Sequence, residues 1–408
     1  MSFGAQATFT GLGGTAMEAA GQQRIVRAED VAHMGITEVI RHAPYIYSQF
    51  QKLIRHIERT RPAVAVLIDF PDVNFRLARR LKRLGIPVLW FVSPQLWAWK
   101  KRRLRWVQQR VAKMLVIFPF EERFYKNRHV AAEFVGHPLA ELPLPTSTRE
   151  QFAAAHSLDP SKTWIALLPG SRWKEIRANL PALHELAMSD LIFSSAAHTT
   201  FDGSSTTQPS NPADFTHYEF LLPVASTINP AELQQYLHEL NAEHLKYMGP
   251  EASTLRLTLV TGPEAAREVL HHARASVVAS GTATVQAAII GNPFVVVYRV
   301  SPLTFLLAKA LVEYPAEFRN MPDLSGNQPI AMVNLIAQRR IVPELLQSSF
   351  TAPNIASALS PLLADGPARD LQTAALAQVR QSLIAGTSGT AIAHVADTVL
   401  SLLPQSTV

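Results

Sequence analysis

The feature that most narrows the fold is a rhythm that runs, stops and starts again. Short β-branched apolar runs at 63–68, 88–92 and 114–118 alternate with apolar residues at helical spacing over 74–84 and 102–111. Asp69-Phe70-Pro71 ends the first run and Gly85 closes the first helical pattern, while Gly136-His137-Pro138 forms a loop after Phe134 and Val135. Strands separated by helices in this way can pair only as βαβ crossovers, which build a parallel sheet. The polar, proline-containing segment 141–150 reads as a linker, and the alternation then restarts with strands at 164–168, 220–223, 257–260, 275–279 and 294–298. From about residue 347 the pattern is helical to the end. Three regions follow: an α/β domain over 1–145, a second over 146–346, and a helical tail over 347–408. Within the second domain, 189–217 lacks amphipathic periodicity and 11 of its 29 residues are Ser or Thr, so it reads as a flexible surface insertion.

Composition closes several other routes. A chain of 408 residues, 48% hydrophobic and 17% charged, can bury two sizeable cores. The longest apolar stretch, 302–312, is interrupted by Lys309 and is too short to cross a bilayer. Cys is absent, which removes disulfides, thiolate nucleophiles and Cys-based zinc sites. The first residues lack a basic start and an apolar core, so no signal peptide is read there. A globular intracellular protein is the expectation. Charge is uneven: 22 Lys and Arg face 10 Asp and Glu through His137, against 16 and 22 in the remainder. Five of the residues 100–105 are basic, and Arg76, Arg79, Arg80, Lys82 and Arg83 form a second cluster. Trp90, Trp97, Trp99 and Trp106 lie among them, and basic residues beside exposed aromatics suit a bilayer interface. Nucleic acid is disfavoured, because no helix-turn-helix, RNP or zinc-finger pattern accompanies the charge.

Ligands of parallel α/β sheets bind beyond the carboxyl ends of the strands, which selects three loops. In 69–74, Asp69 is placed to act as a general base on a hydroxyl, and Asp72 reads as a helix cap. In Pro169-Gly170-Ser171-Arg172, Gly170 admits a close ligand, Ser171 offers an N–H, and Arg172 supplies a planar cation suited to a diphosphate. In 279–284, Ser280, Gly281 and Thr282 make a second anion nest or an ordinary helix start. Neither loop carries the Gly-Lys-Ser/Thr ending of a P-loop. His271 and His272 are adjacent and cannot share a helix face, His137 shapes a loop, and no metal site is expected.

Longer blocks carry more information. GLGGTAMEAAG (11–21), IDFPDVNFRLA (68–78), VSPQLWAWKKRR (92–103), PFEERFY (119–125), FVGHPL (134–139), LLPGSRWKEI (167–176), SGTATVQAAIIGNPFVVVYRVSPLT (280–304) and VNLIAQRRIVPELLQ (333–347) run through the chain in one order. In these the chain resembles lipid-A-disaccharide synthase, an inverting bacterial glycosyltransferase. The resemblance implies a GT-B-like α/β fold, two Rossmann-like domains facing across a cleft. It implies transfer from UDP-2,3-diacylglucosamine to 2,3-diacylglucosamine 1-phosphate (lipid X), giving the β(1→6) disaccharide 1-phosphate and UDP. The reaction would need neither metal nor cofactor and would run at the cytoplasmic face of the inner membrane, met through 90–106, by a peripheral protein that could pair as a homodimer. Asp69 then matches the base for the acceptor hydroxyl and Arg172 the arginine that steadies the departing diphosphate. Gly170, Ser171, Ser280, Gly281 and Thr282 would hold phosphates, and Arg299 and Asn334 would line the same cleft.

Departures from the family pattern are equally legible. The family opens with a strand, a glycine-rich loop and a helix that have no counterpart before residue 11, so the first strand and helix of the N-terminal domain are expected to be missing. Gln286 stands where the family has the Glu that holds ribose hydroxyls, and Gln338 stands where it has Gly. Weaker nucleotide binding is expected from the lost charge. Two other functions stay open on sequence: a non-catalytic nucleotide- or membrane-binding remnant, and another UDP-sugar enzyme such as a 2-epimerase.

Overall fold

A computed structural model describes residues 7–32, 36–99, 101–188, 217–248, 257–312, 314–386 and 389–403. The insertion expected at 189–217 lies outside these except for His217. The chain forms two compact units, one of 1–136 with 385–408 and one of 137–384.

Unit 1 carries β1 (Thr10–Gly13), β2 (Gln23–Arg27), β3 (Ala65–Ile68), β4 (Val88–Phe91), β5 (Lys113–Val116) and β6 (Ala132–Phe134). All pairs are parallel, but they form two ladders: β1 with β2, and β3-β4-β5-β6 in sequence order. The helix Pro71–Arg83 between β3 and β4 buries Phe75, Leu77, Ala78 and Leu81, the apolar face its spacing predicts, and turns its arginines outward. All four residues of β4 are buried, as expected for a parallel strand covered on both faces. The last described helix, Ala391–Leu402, packs against β4.

Unit 2 is one six-stranded parallel sheet of β7 (Thr163–Leu168), β8 (Tyr218–Pro223), β9 (Leu257–Val260), β10 (Ala275–Ala279), β11 (Phe294–Tyr298) and β12 (Glu344–Leu346), in the order β12-β11-β10-β7-β8-β9. Its core joins Ile165, Val277 and Val295 of the sheet to Leu183 of the helix Trp173–Met188 and Leu359 of the helix Ala352–Leu363. The tail read from sequence as one segment is shared between the units. Ala352–Leu363 and Pro367–Ser382 belong to unit 2, whereas Ala391–Leu402 belongs to unit 1. Gln338 caps the helix Met332–Ala337 in the left-handed region at φ 52°, a position that favours glycine. Its side chain fastens the turn by donating to the Leu335 carbonyl at 2.7 Å and accepting from the Arg319 N–H at 3.0 Å. Among the described residues no helix is long and apolar enough to cross a membrane.

Candidate active site

In unit 2 the chain leaves β7 towards β8 and β9, then returns to β10 on the other flank of β7. The loops that follow β7 and β10 therefore flank the point where strand order reverses, on strands about 4.8 Å apart. After β7, Gly170 takes φ 127°, and a Cβ on it would stand 2.6 Å from both Cβ and Oε2 of Glu175. Ser171 donates its N–H to Glu175 Oε2 at 2.9 Å, and Arg172, 79% exposed, reaches Glu175 Oε1 at 3.4 Å. Glu175 is the third residue of the helix Trp173–Met188, so its carboxylate fills the anion nest at that helix start. Asn179 holds the loop from beneath by donating to the Pro169 carbonyl at 2.8 Å.

After β10, the Ser280 N–H extends the ladder to the Val297 carbonyl at 3.0 Å. The helix Thr282–Ile290 then starts at Gly281 without a side-chain cap; the Thr284 N–H donates to the Gly281 carbonyl at 3.1 Å, which leaves those of Thr282 and Ala283 to a ligand or to water. Gly281 and Thr282 are exposed, and Gln286 is half-buried one turn further along. At the end of β11, burial and then the Glu175 carboxylate push the Tyr298 hydroxyl above its ordinary pKa, which places Tyr298 beside the nest. Arg299 turns away from it: its guanidinium donates to the Phe350 carbonyl and lies 4.6 Å from the Phe350 ring centre. Asn334 is fully buried and spends its amide on the backbone of 341–342 and the carboxylate of Glu344. It donates to Val342 O at 3.0 Å and Glu344 Oε1 at 2.7 Å, and accepts from Ile341 N at 2.7 Å and Val342 N at 3.1 Å. Seven of the nine residues named in unit 2 thus gather at the switch point, Arg299 ends at the same sheet edge, and Asn334 is a structural pin.

In unit 1 the ends of β3 and β4 are bent by residues other than glycine. Asp69 and Phe70 both take φ 43°, and Val92 takes φ 62°. A left-handed β-branched or aromatic residue costs on the order of 1 kcal/mol or more and persists only where its surroundings insist on it. Here they do: Asp69 donates its N–H to Phe91 O at 3.0 Å, and Asn74 donates its amide to Ile68 O at 3.2 Å and Asp69 O at 2.6 Å. The turn leaves the Asp69 carboxylate exposed to solvent. Asp72 makes no side-chain cap; the helix starts at Phe70, and Asp72 instead pairs with Arg103 at 2.7 Å.

A scan against family models matches residues 3–202 and 229–399 to lipid-A-disaccharide synthetase. The lipid-A-disaccharide synthase of Acidobacterium capsulatum is 52% identical over 382 residues, 93% of this chain and 85% of that protein. That of Koribacter versatilis is 44% identical over 96% of this chain and 90% of its own length. The chain belongs to the lipid-A-disaccharide synthetase family. In fold it is similar to a UDP complex of S. aureus MnaA (TM-score 0.55, 10% identity, 98% of each chain). It is also similar to the Neisseria meningitidis UDP-GlcNAc 2-epimerase (TM-score 0.51, 10% identity, 97% of this chain and all of that one). The architecture is GT-B-like α/β, a glycosyltransferase frame of two Rossmann-like units with helices at the C-terminus. Neither the remnant nor the epimerase reading is favoured by these relatives.

This family member also contains groups that sequence reasoning passed over. Glu121 is completely buried beneath the loop after β4, where Ser93 Oγ donates to it at 2.7 Å, Trp97 Nε1 at 3.1 Å and the Phe118 N–H at 3.3 Å. Burial raises its pKa to about 7 against the opposing pull of those donors. Tyr125 adds a bond to the Pro94 carbonyl at 2.9 Å, and burial, then Glu121, push its hydroxyl well above 10. The only sequence signal was indirect, since SPQLW and PFEE belong to the shared blocks and a carboxylate needs donors wherever it is buried. Trp90 and Trp97 lie in the core, 0% and 2% exposed, while Trp99 remains 47% exposed. The stretch 90–106 therefore does not present the row of exposed aromatics that the bilayer argument required. Ser147, Glu268 and His272 look like a hydrolytic triad but are not one. Ser147 Oγ and Glu268 both meet the same ring nitrogen, His272 Nε2, at 2.9 and 3.6 Å, so the carboxylate does not orient the imidazole from its far side.

Proposed function

We propose that the chain transfers the diacylglucosaminyl group of UDP-2,3-diacylglucosamine to lipid X, with Asp69 and the unit 2 nest in separate roles. Asp69 takes the proton of the acceptor 6-hydroxyl as its oxygen attacks the anomeric carbon from the side opposite UDP, which inverts that centre. The N–H of Ser171, the Arg172 guanidinium and the first turn of Thr282–Ile290 take up the diphosphate charge that grows as the bond to UDP breaks. That division lets the reaction proceed without metal or cofactor. Gln286 offers the ribose an uncharged partner. The observation that carries the reading is the pairing of two anion nests across the β7/β10 switch point in a member of this family.

Peripheral attachment to the inner membrane at its cytoplasmic face belongs to the same proposal. It is supported by the helix Pro302–Leu311, which buries none of its residues and leaves Leu303, Leu306 and Leu311 at least 65% exposed. The test is the purified chain in detergent with both lipid substrates and a chelator, followed for disaccharide phosphate and UDP. Asp69→Ala should lower kcat by about 10²–10⁴ with the melting temperature unchanged. Unchanged turnover would remove Asp69 from the chemistry, and UDP release without acceptor would point to a different reaction.

A further inference from the structure

Unit 1 holds a cleft of about 430 Å³, within the range of small-ligand sites, between the helices Ile36–Thr60 and Pro71–Arg83. Phe50 and Ile54 form its apolar side. Arg76, Arg79, Arg80 and Arg83 form the other, spaced so that they share one helix face. Like charges at that spacing destabilise a helix, and the dipole at its C-terminal end offsets part of the cost at Arg80 and Arg83 but not at Arg76. One acid answers them: Glu58 accepts from Arg80 Nε at 2.8 Å and from its Nη2. Arg76, Arg79 and Arg83 have no hydrogen bond or ion pair among the described residues. Their field reaches a neighbour, because Arg110 has its pKa lowered by burial first and then by Arg79 and Arg83. An uncompensated positive wall facing an apolar one differs from a solvated helix face, which has water on every side. Tyr47, three residues before Phe50 on the same helix stripe, is 64% exposed, an amphipathic ring of the kind favoured where water meets lipid.

We propose that this cleft binds the phosphate of an anionic membrane lipid, with the guanidinium forks on the phosphate oxygens and Phe50 and Ile54 against the start of the hydrocarbon. Guanidinium groups match phosphate in a bidentate geometry that a scattered charge does not require. The cleft is separate from the candidate active site. Along the helix axis its arginines lie from about 8 Å (Arg76) to about 18 Å (Arg83) beyond Pro71, which follows the Asp69 turn. The inference rests on the reading of a protein that works at a lipid surface, and its test reads binding instead of turnover, so that each can fail alone.

The experiment is sedimentation of the full chain with phosphatidylcholine vesicles that contain or lack phosphatidic acid. Wild type is compared with Arg79→Gln/Arg83→Gln and with Arg102→Gln/Arg105→Gln, which removes equal charge from the other basic run. All four side chains are exposed, and circular dichroism checks that each variant folds. The cleft variant is expected to lose at least tenfold in partitioning onto the anionic vesicles, and the control less than threefold. Equal losses, a larger loss in the control, or wild-type binding indifferent to phosphatidic acid would overturn the proposal. Release of the protein by inorganic phosphate at the concentration of lipid phosphate would assign the cleft to free phosphate instead. Arginine-dependent binding to duplex DNA tighter than to the vesicles would assign it to nucleic acid.

Discussion

The central strands of unit 2 are buried on both faces, whereas β3, the outer strand of the four-stranded ladder in unit 1, leaves Val66 38% and Ile68 43% exposed. The two units solve their loop problem differently as well. At the end of β7 the left-handed position is occupied by Gly170, while at the ends of β3 and β4 it is occupied by Asp69, Phe70 and Val92. The difference follows from what each loop must offer. Where backbone N–H groups receive a phosphate, a residue without a side chain is the best choice, and it carries no strain. For the carboxylate proposed as the base, the side chain has to stay, and the conformational cost is met by neighbours such as Asn74 and the Phe91 carbonyl. Buried polar side chains pin loops in both units, Asn74 and Glu121 in unit 1 and Asn179 and Asn334 in unit 2, but in unit 1 they stand beside strained turns at the strand ends.

The contrast can be broken most forcefully at Glu121. Glu121→Ala removes the buried acceptor shared by Ser93 Oγ, Trp97 Nε1 and the Phe118 N–H, so urea unfolding should report a loss of about 3 kcal/mol or more, with hydrogen exchange rising first around residues 93–97. A loss below about 1 kcal/mol would mean that the loop is held by packing alone.

Next in size is a pH response of opposite sign in the two units. Glu121 binds its proton more tightly when folded, at about 7, than an ordinary carboxyl does at 4.5, so its contribution to stability declines as pH rises through that interval. In unit 2, burial lowers His137 and His184 from 6.5 to about 4, so stability there declines as pH falls through that interval. Thermal unfolding between about pH 4 and pH 8 should show Glu121→Gln flattening only the first slope. His184→Leu, which also removes a buried ring nitrogen that has no partner, should flatten only the second. Parallel behaviour of the two variants would erase the distinction.

Gly170→Ala tests the backbone side of the comparison. A methyl group 2.6 Å from Glu175 at φ 127° must displace the loop, and UDP binding by calorimetry should weaken at least tenfold while Asp69-side loops keep their exchange rates. The smallest effect is expected from Glu175→Gln. It removes the carboxylate that competes for Ser171 and Arg172, so UDP should bind about three- to fivefold tighter, in line with the modest strength of an exposed ion pair. Weaker binding would show that Glu175 shapes the nest instead of occupying it.

Most of the frame was readable from the chain. The apolar runs at 257–260, 275–279 and 294–298 coincide with β9, β10 and β11, and for β10 and β11 the reason is that a strand buried on both faces needs no alternation to be recognised. The strands β1, β2 and β12 were not readable: TGLG, QRIVR and ELL are short and half-polar, and become strands only through partners elsewhere in the chain. The same division holds in the site. Gly170, Ser171 and Ser280 announce themselves through local turn chemistry. The tie from Arg299 to Phe350, 51 residues on, and the burial of Asn334 are set by tertiary contacts that no local pattern encodes.

The left-handed pair Asp69 and Phe70 carries one more consequence, for anyone who selects improved forms of this enzyme. A library sorted only for heat resistance would be drawn towards glycine at both positions, because each exchange relieves backbone strain of about 1 kcal/mol at an exposed site. At position 70 the gain would come without loss of the carboxylate, and at position 69 it would remove the base proposed for the acceptor hydroxyl. Sorting by survival and sorting by product would therefore part company between two neighbouring codons.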